Sequence, residues 1–136
     1  VGCSKDPKNA QQTAAAQKMP WYNNTIFVLT ADHATVTNAP EYNNTIGTFA
    51  IPILFYYPGS SVAQQIQKPV QQIDIAPTIL SLLHYDKPYF SFGFNALDNN
   101  EQNIIVHNNG NGYSLYMKDF LLLNDGKRFD KKVCIE

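Results

Sequence analysis

The chain is 136 residues long, carries a formal net charge of −1 with a pI near 6.3, and has only 15% charged residues. That length holds one domain or part of one, and the charge balance offers no basic surface for nucleic acid. No apolar run reaches the roughly 18 residues of a membrane span, and neither an initiating Met nor a signal-peptide pattern opens the chain, which reads as continuing from segments upstream.

Asp6-Pro7 reads as an N-cap followed by proline at the first helical position, and the Ala/Gln-rich segment to about Lys18 favours a surface helix with a thin apolar stripe. Met19-Pro20-Trp21 stops it, because a residue before proline avoids the helical region. Thr25 to Thr30, "TIFVLT", is β-branched and aromatic without alternation, which predicts a strand near 25 to 31 covered on both faces. Ala34 to Thr48 is polar, broken at Asn38-Ala39-Pro40, and reads as a long loop of the kind that often carries function. Ile51 to Tyr57, "IPILFYY", predicts a second buried strand closed by Pro58-Gly59, with Pro52 at its start or on an edge. A core-facing helix is expected near 74 to 84, with Asp74 as N-cap, Pro77 in the first turn and Ile75, Ile79, Leu82 and Leu83 as its apolar stripe. After it, short segments at Asn103 to His107, Tyr113 to Met117, Phe120 to Leu123 and around Lys132 to Ile135 are parted by Asn-Gly and Asp-Gly pairs, which predicts an antiparallel meander.

Lys127, Arg128, Lys131 and Lys132 read as a solvated strand rim. Cys3 and Cys134 fit neither a disulfide framework nor the paired spacing of a zinc site, and whether they pair or stay as thiols is open. Abundant Asn and Gln beside few charges lean towards an exported protein. Asn23-Asn24-Thr25 and Asn43-Asn44-Thr45 match the glycosylation acceptor pattern, which arises readily by chance in an Asn-rich chain.

The chemistry concentrates at Asp32-His33, which end the first strand on two groups that are costly to bury. In open α/β sheets ligands gather outside the carboxyl ends of strands, and where a strand breaks into a loop, adjacent side chains can turn towards one ion. A carboxylate with an imidazole suits zinc, manganese or iron better than all-oxygen calcium sites; the competing reading is a capping Asp beside a surface His. His84 and His107 read as helix-end and strand residues, and Asp74 and Thr78 as structural.

Three ordered segments, "PWYNNTIFVLTADHA", "PEYNNTIGTFAIPILFYYPG" and "QQIDIAPTILSLL", resemble the alkaline phosphatase superfamily in its sulfatase and lipoteichoic-acid-synthase-like branch, over about residues 20 to 95. The resemblance implies the C-terminal part of an alkaline-phosphatase-like α/β/α sandwich, with residues 1–95 in its core and 96–136 as an antiparallel β subdomain. It implies that Asp32 and His33 match late ligands of a divalent metal (manganese, zinc, magnesium or calcium). It further implies a sulfate or phosphate ester substrate, lipid- or glycan-linked, in hydrolysis or in phosphoglycerol or phosphoethanolamine transfer on the outer face of a bacterial membrane. Glu41 and Tyr42, in the loop beside the metal pair, are the candidates to meet substrate. The family's nucleophile, a Thr, Ser or modified Cys, and its first metal acid come from upstream strands. Nothing before Trp21 supplies them, so the catalytic nucleophile is expected in an upstream part of the same domain, the chain's necessary partner. The loop after His33 also lacks the further His of some phosphoethanolamine and phosphoglycerol transferases. The alternative reading is a non-catalytic binding module that kept the fold.

Overall fold

The computed structural model describes residues 14–34, 39–40, 42–44, 46–60, 64–99, 104–108, 110, 112–117 and 120–134, the last five of these by backbone alone. Cys3, Asp6-Pro7, Glu41 and Thr45 lie outside them. The architecture is mixed α/β with small sheets, divided into two compact units, Val1–Ala63 and Gln64–Glu136.

In the first unit, residues 14–16 are helical, and the bonds Lys18 N to Ala15 O (3.2 Å) and Met19 N to Ala16 O (3.0 Å) close the turn ahead of Pro20. A single 3₁₀ turn, Tyr22–Asn24, follows, and the Thr25 hydroxyl donates back to the Trp21 carbonyl at 2.8 Å. Strands β1 (Phe27–Thr30) and β2 (Ile53–Tyr56) pair antiparallel, from Phe27 opposite Tyr56 to Thr30 opposite Ile53. Both are shorter than expected, and Pro52, which cannot donate to the ladder, stands just before β2. The turn after β2 closes with Ser60 N donating to Tyr57 O at 3.1 Å, and Gly59 takes the positive φ of 84° that a side chain would resist.

Opposed residues share a face, so Phe27, Leu29, Leu54 and Tyr56 line one side of this pair. Phe27 is the hub of an aromatic cluster: its ring lies 5.4 Å from Tyr22, 6.0 Å from Tyr56 and 6.2 Å from Trp21, and the two tyrosine hydroxyls meet at 2.8 Å. The expectation of strands covered on both faces is not met, for Leu29 and Leu54 are 48% and 51% exposed. A run of apolar residues records affinity for a covered face but not whether its own unit supplies the cover.

The second unit is built on helix α1 (Ile75–Leu82) and the antiparallel strands β3 (Ile104–Asn108), β4 (Tyr113–Met117), β5 (Phe120–Asn124) and β6 (Phe129–Cys134), ordered β3-β4-β5-β6. The Asn and Asp turns form as their chemistry dictates. Asn108 accepts from Gly110 N at 2.7 Å, Asn124 from Gly126 N at 2.8 Å, and both glycines sit at positive φ.

The start and buried face of α1 differ from expectation. Asp74 is the N-cap of the helix, as expected, but its side chain makes no cap bond there: a 3₁₀ turn, Gln72–Asp74, leads into the helix, Gln71 caps that turn, and the Asp74 carboxylate reaches back to the Gln71 N–H at 2.8 Å in a capping box. The other carboxylate oxygen accepts from Phe94 N at 2.8 Å, so the side chain ties the helix entry to residues 93–96. Thr78 completes the tie: its hydroxyl donates to the Asp74 carbonyl at 2.6 Å and accepts from Ala96 N at 2.9 Å. Asp74, Pro77, Thr78 and Ala96 are therefore the buried residues here, while Leu82 and Leu83 of the expected stripe stay exposed. Residues 93–96, an irregular bend and turn segment, pack by hydrogen bonds on the polar side of the helix, which an apolar periodicity cannot anticipate. Gly93 passes so close that a Cβ would stand 2.1 Å from the Ile73 carbonyl oxygen.

At the free edge of β3, the Gln71 side-chain amide donates to the Ile104 carbonyl at 2.8 Å and accepts from Val106 N at 3.1 Å. The helix ends as expected of a Schellman motif, Tyr85 N donating to Leu80 O at 2.9 Å, with His84 at a φ of 53°. His107 is a strand residue, opposite Ser114.

Candidate metal centre

β1 delivers the site. It stops at Thr30, opposite the first residue of β2, so the connection 31–52 leaves and returns at one end of the strand pair. Asp32 and His33 lie on a bend just past the strand's carboxyl end, with side chains 89% and 78% exposed.

In an extended strand these neighbours would point apart. The bend brings them together, and Nε2 of His33 lies 3.7 Å from Oδ2 of Asp32. Two local bonds hold the arrangement: the His33 backbone N–H donates to Asp32 Oδ1 at 3.0 Å, and His33 Nδ1 lies 2.9 Å from the Ala34 carbonyl. A carbonyl only accepts, so Nδ1 carries the proton and the neutral ring presents the Nε2 lone pair. The Ala34 carbonyl, and after it the Asp32 charge, raise the His33 pKa above its ordinary 6.5. This partner was invisible in the sequence, because a backbone oxygen leaves no residue-type signal.

The pair fits a divalent ion. Two donors each about 2.0–2.2 Å from one ion stand roughly 3–4 Å apart, and the observed 3.7 Å lies in that range. Among the described residues no group of three or more His, Cys, Asp and Glu is placed to hold a metal, so two donors are what this stretch offers. Tyr42 lies further along the same connection, 40% exposed, in a turn where Tyr42 N and Asn43 N both donate to the Ala39 carbonyl at 3.1 Å. Glu41 is outside the described residues, and His84 and His107 belong to the second unit.

A residue that the sequence did not single out organises that connection. Asn44 Oδ1 accepts from Ile46 N at 3.0 Å and Gly47 N at 2.8 Å, ahead of a 3₁₀ turn, Gly47–Phe49. The available signal was an Asn in a polar loop shortly before a Gly.

Comparison with curated proteins and with solved structures gives no match. A family model described as Sulfatase matches residues 13–85, which is 73 of 136 residues and takes in Asp32-His33, both strands of the first unit and α1. The chain belongs to the sulfatase family.

Proposed function

We propose that this chain contributes Asp32 and His33 to the metal centre of an enzyme acting on sulfate or phosphate esters, by hydrolysis or by transfer of the phosphoryl or sulfuryl group. Sulfatases generally use a divalent metal, and the observation that carries the reading is the convergence of a carboxylate and an oriented imidazole at 3.7 Å past a strand's end. When bound, the ion lowers the pKa of a coordinated nucleophile and neutralises charge that builds on the transferring group. Asp32 would supply an anionic oxygen and His33 its Nε2, the Ala34 carbonyl holding the neutral ring's proton on Nδ1 so that Nε2 is the nitrogen turned to the ion. Tyr42 and Glu41, both in the connection 31–52, are the candidates to contact the ester. The nucleophile and the remaining ligands come from an upstream part of the same domain.

The lipoteichoic-acid-synthase-like branch, and with it a lipid- or glycan-linked substrate and an exported site of action, is supported by the Asp-His pair and by the scarcity of charged residues, 15% of the chain. In the full-length protein, the double variant Asp32→Ala, His33→Ala should lose bound metal and drop turnover by orders of magnitude. Full activity in that variant would refute Asp32 and His33 as metal ligands, whereas absence of ester turnover in the unsubstituted full-length protein would leave the binding-module reading standing.

A further inference from the structure

The geometry points to Asn44 as the positioning residue that sets Tyr42 for the ester, an inference that rests on the connection 31–52 being the substrate side of the site. One side chain joins the two halves of the loop. Its Oδ1 receives the Ile46 and Gly47 N–H groups at 3.0 and 2.8 Å, and its Nδ2 donates to the Pro40 carbonyl at 3.3 Å. Its own carbonyl accepts from the N–H of Thr48 at 3.1 Å and from the Thr48 hydroxyl at 2.7 Å.

The two halves have different surroundings. Gly47 is buried, and the 3₁₀ turn that it opens runs almost directly into β2, whose first residue Ile53 stands opposite Thr30. That half is fixed to the end of the strand pair from which Asp32 and His33 depart. The other half, the turn from Ala39 to Asn43, holds Tyr42 half exposed. Asn44 is thus the link between a residue free to touch substrate and the strand end that carries the metal pair. Misplacing a substrate-contacting group weakens substrate capture while the ligands keep their own local bonds. Asn44→Ala removes the acceptor and the donor, whereas Asn44→Asp keeps the acceptor for Ile46 and Gly47 and loses the bond to Pro40.

The test uses the full-length protein with p-nitrophenyl esters of sulfate and of a phosphodiester, together with bound-metal content and amide exchange at Ile46 and Gly47. Asn44→Ala should raise KM about tenfold and keep kcat and metal content within about twofold. Asn44→Asp should restore most of the KM and the amide protection, and Tyr42→Ala should reproduce the KM of Asn44→Ala with the two together adding nothing further. If Asn44→Ala loses amide protection with KM unchanged while Tyr42→Ala raises KM, Asn44 is not the positioning residue and the substrate-side reading stands. If Tyr42→Ala also leaves KM unchanged, the substrate-side reading fails and takes the inference with it.

Discussion

The two units are held by different means. In the first, the bonds that shape the Asp32-His33 bend and the Asn44 loop span four residues or fewer, and the apolar side of β1 and β2 is half open. In the second, Asp74 reaches 20 residues to Phe94, Thr78 reaches 18 to Ala96, and Gln71 reaches 35 to Val106. Asp32 and His33, the proposed ligands, stay exposed and locally tethered, whereas the second unit buries Asp74 and Thr78 and satisfies them across long sequence separations.

That contrast breaks or sharpens under substitution. Asp74→Ala should have the largest effect, because it strands the Gln71 and Phe94 N–H groups around a residue only 1% exposed; a loss of about 2–5 kcal/mol is expected from urea unfolding. Gly93→Ala comes next, at about 1–3 kcal/mol, since the Ile73 carbonyl 2.1 Å from the new Cβ is backbone and must move. His84→Gly should stabilise the second unit by about 1 kcal/mol, as it relieves a side chain at a φ of 53°. Asp32→Ala should leave the unfolding midpoint where it is, and an equally large loss there would erase the distinction between the units. The smallest effect is a titration: in the metal-free chain His33 should keep its proton to a pH above 6.5. Asp32→Asn should lower that pKa only partly, because the Ala34 carbonyl is the larger cause; NMR of the ring protons reads both.

The tail was legible in outline because its turns are written in residue types. Asn108, Asn124 and Asp125 bond to the N–H groups that follow them, and the strands fall between. The helix and its N-cap position at Asp74 were legible, but the 3₁₀ turn ahead of it was not, since Gln71 is an uncommon cap and Asp74 suits either cap or N3. Its buried face was misread because Thr78 and Asp74 are buried by hydrogen bonding, which hydropathy does not register. At the candidate metal centre, the residue types and the break after the strand were visible in "TADHA", while the Ala34 carbonyl and the Asn44 staple depend on backbone geometry.

Gln71 has a consequence for behaviour at high concentration. Its amide meets one carbonyl and one N–H of β3 as an adjacent strand would, so a single side chain stands in for a neighbouring chain along part of an edge that no other strand pairs among the described residues. The sheet is thereby kept from templating addition of further copies at that point, and the same residue that starts the helix makes the tail less prone to self-association.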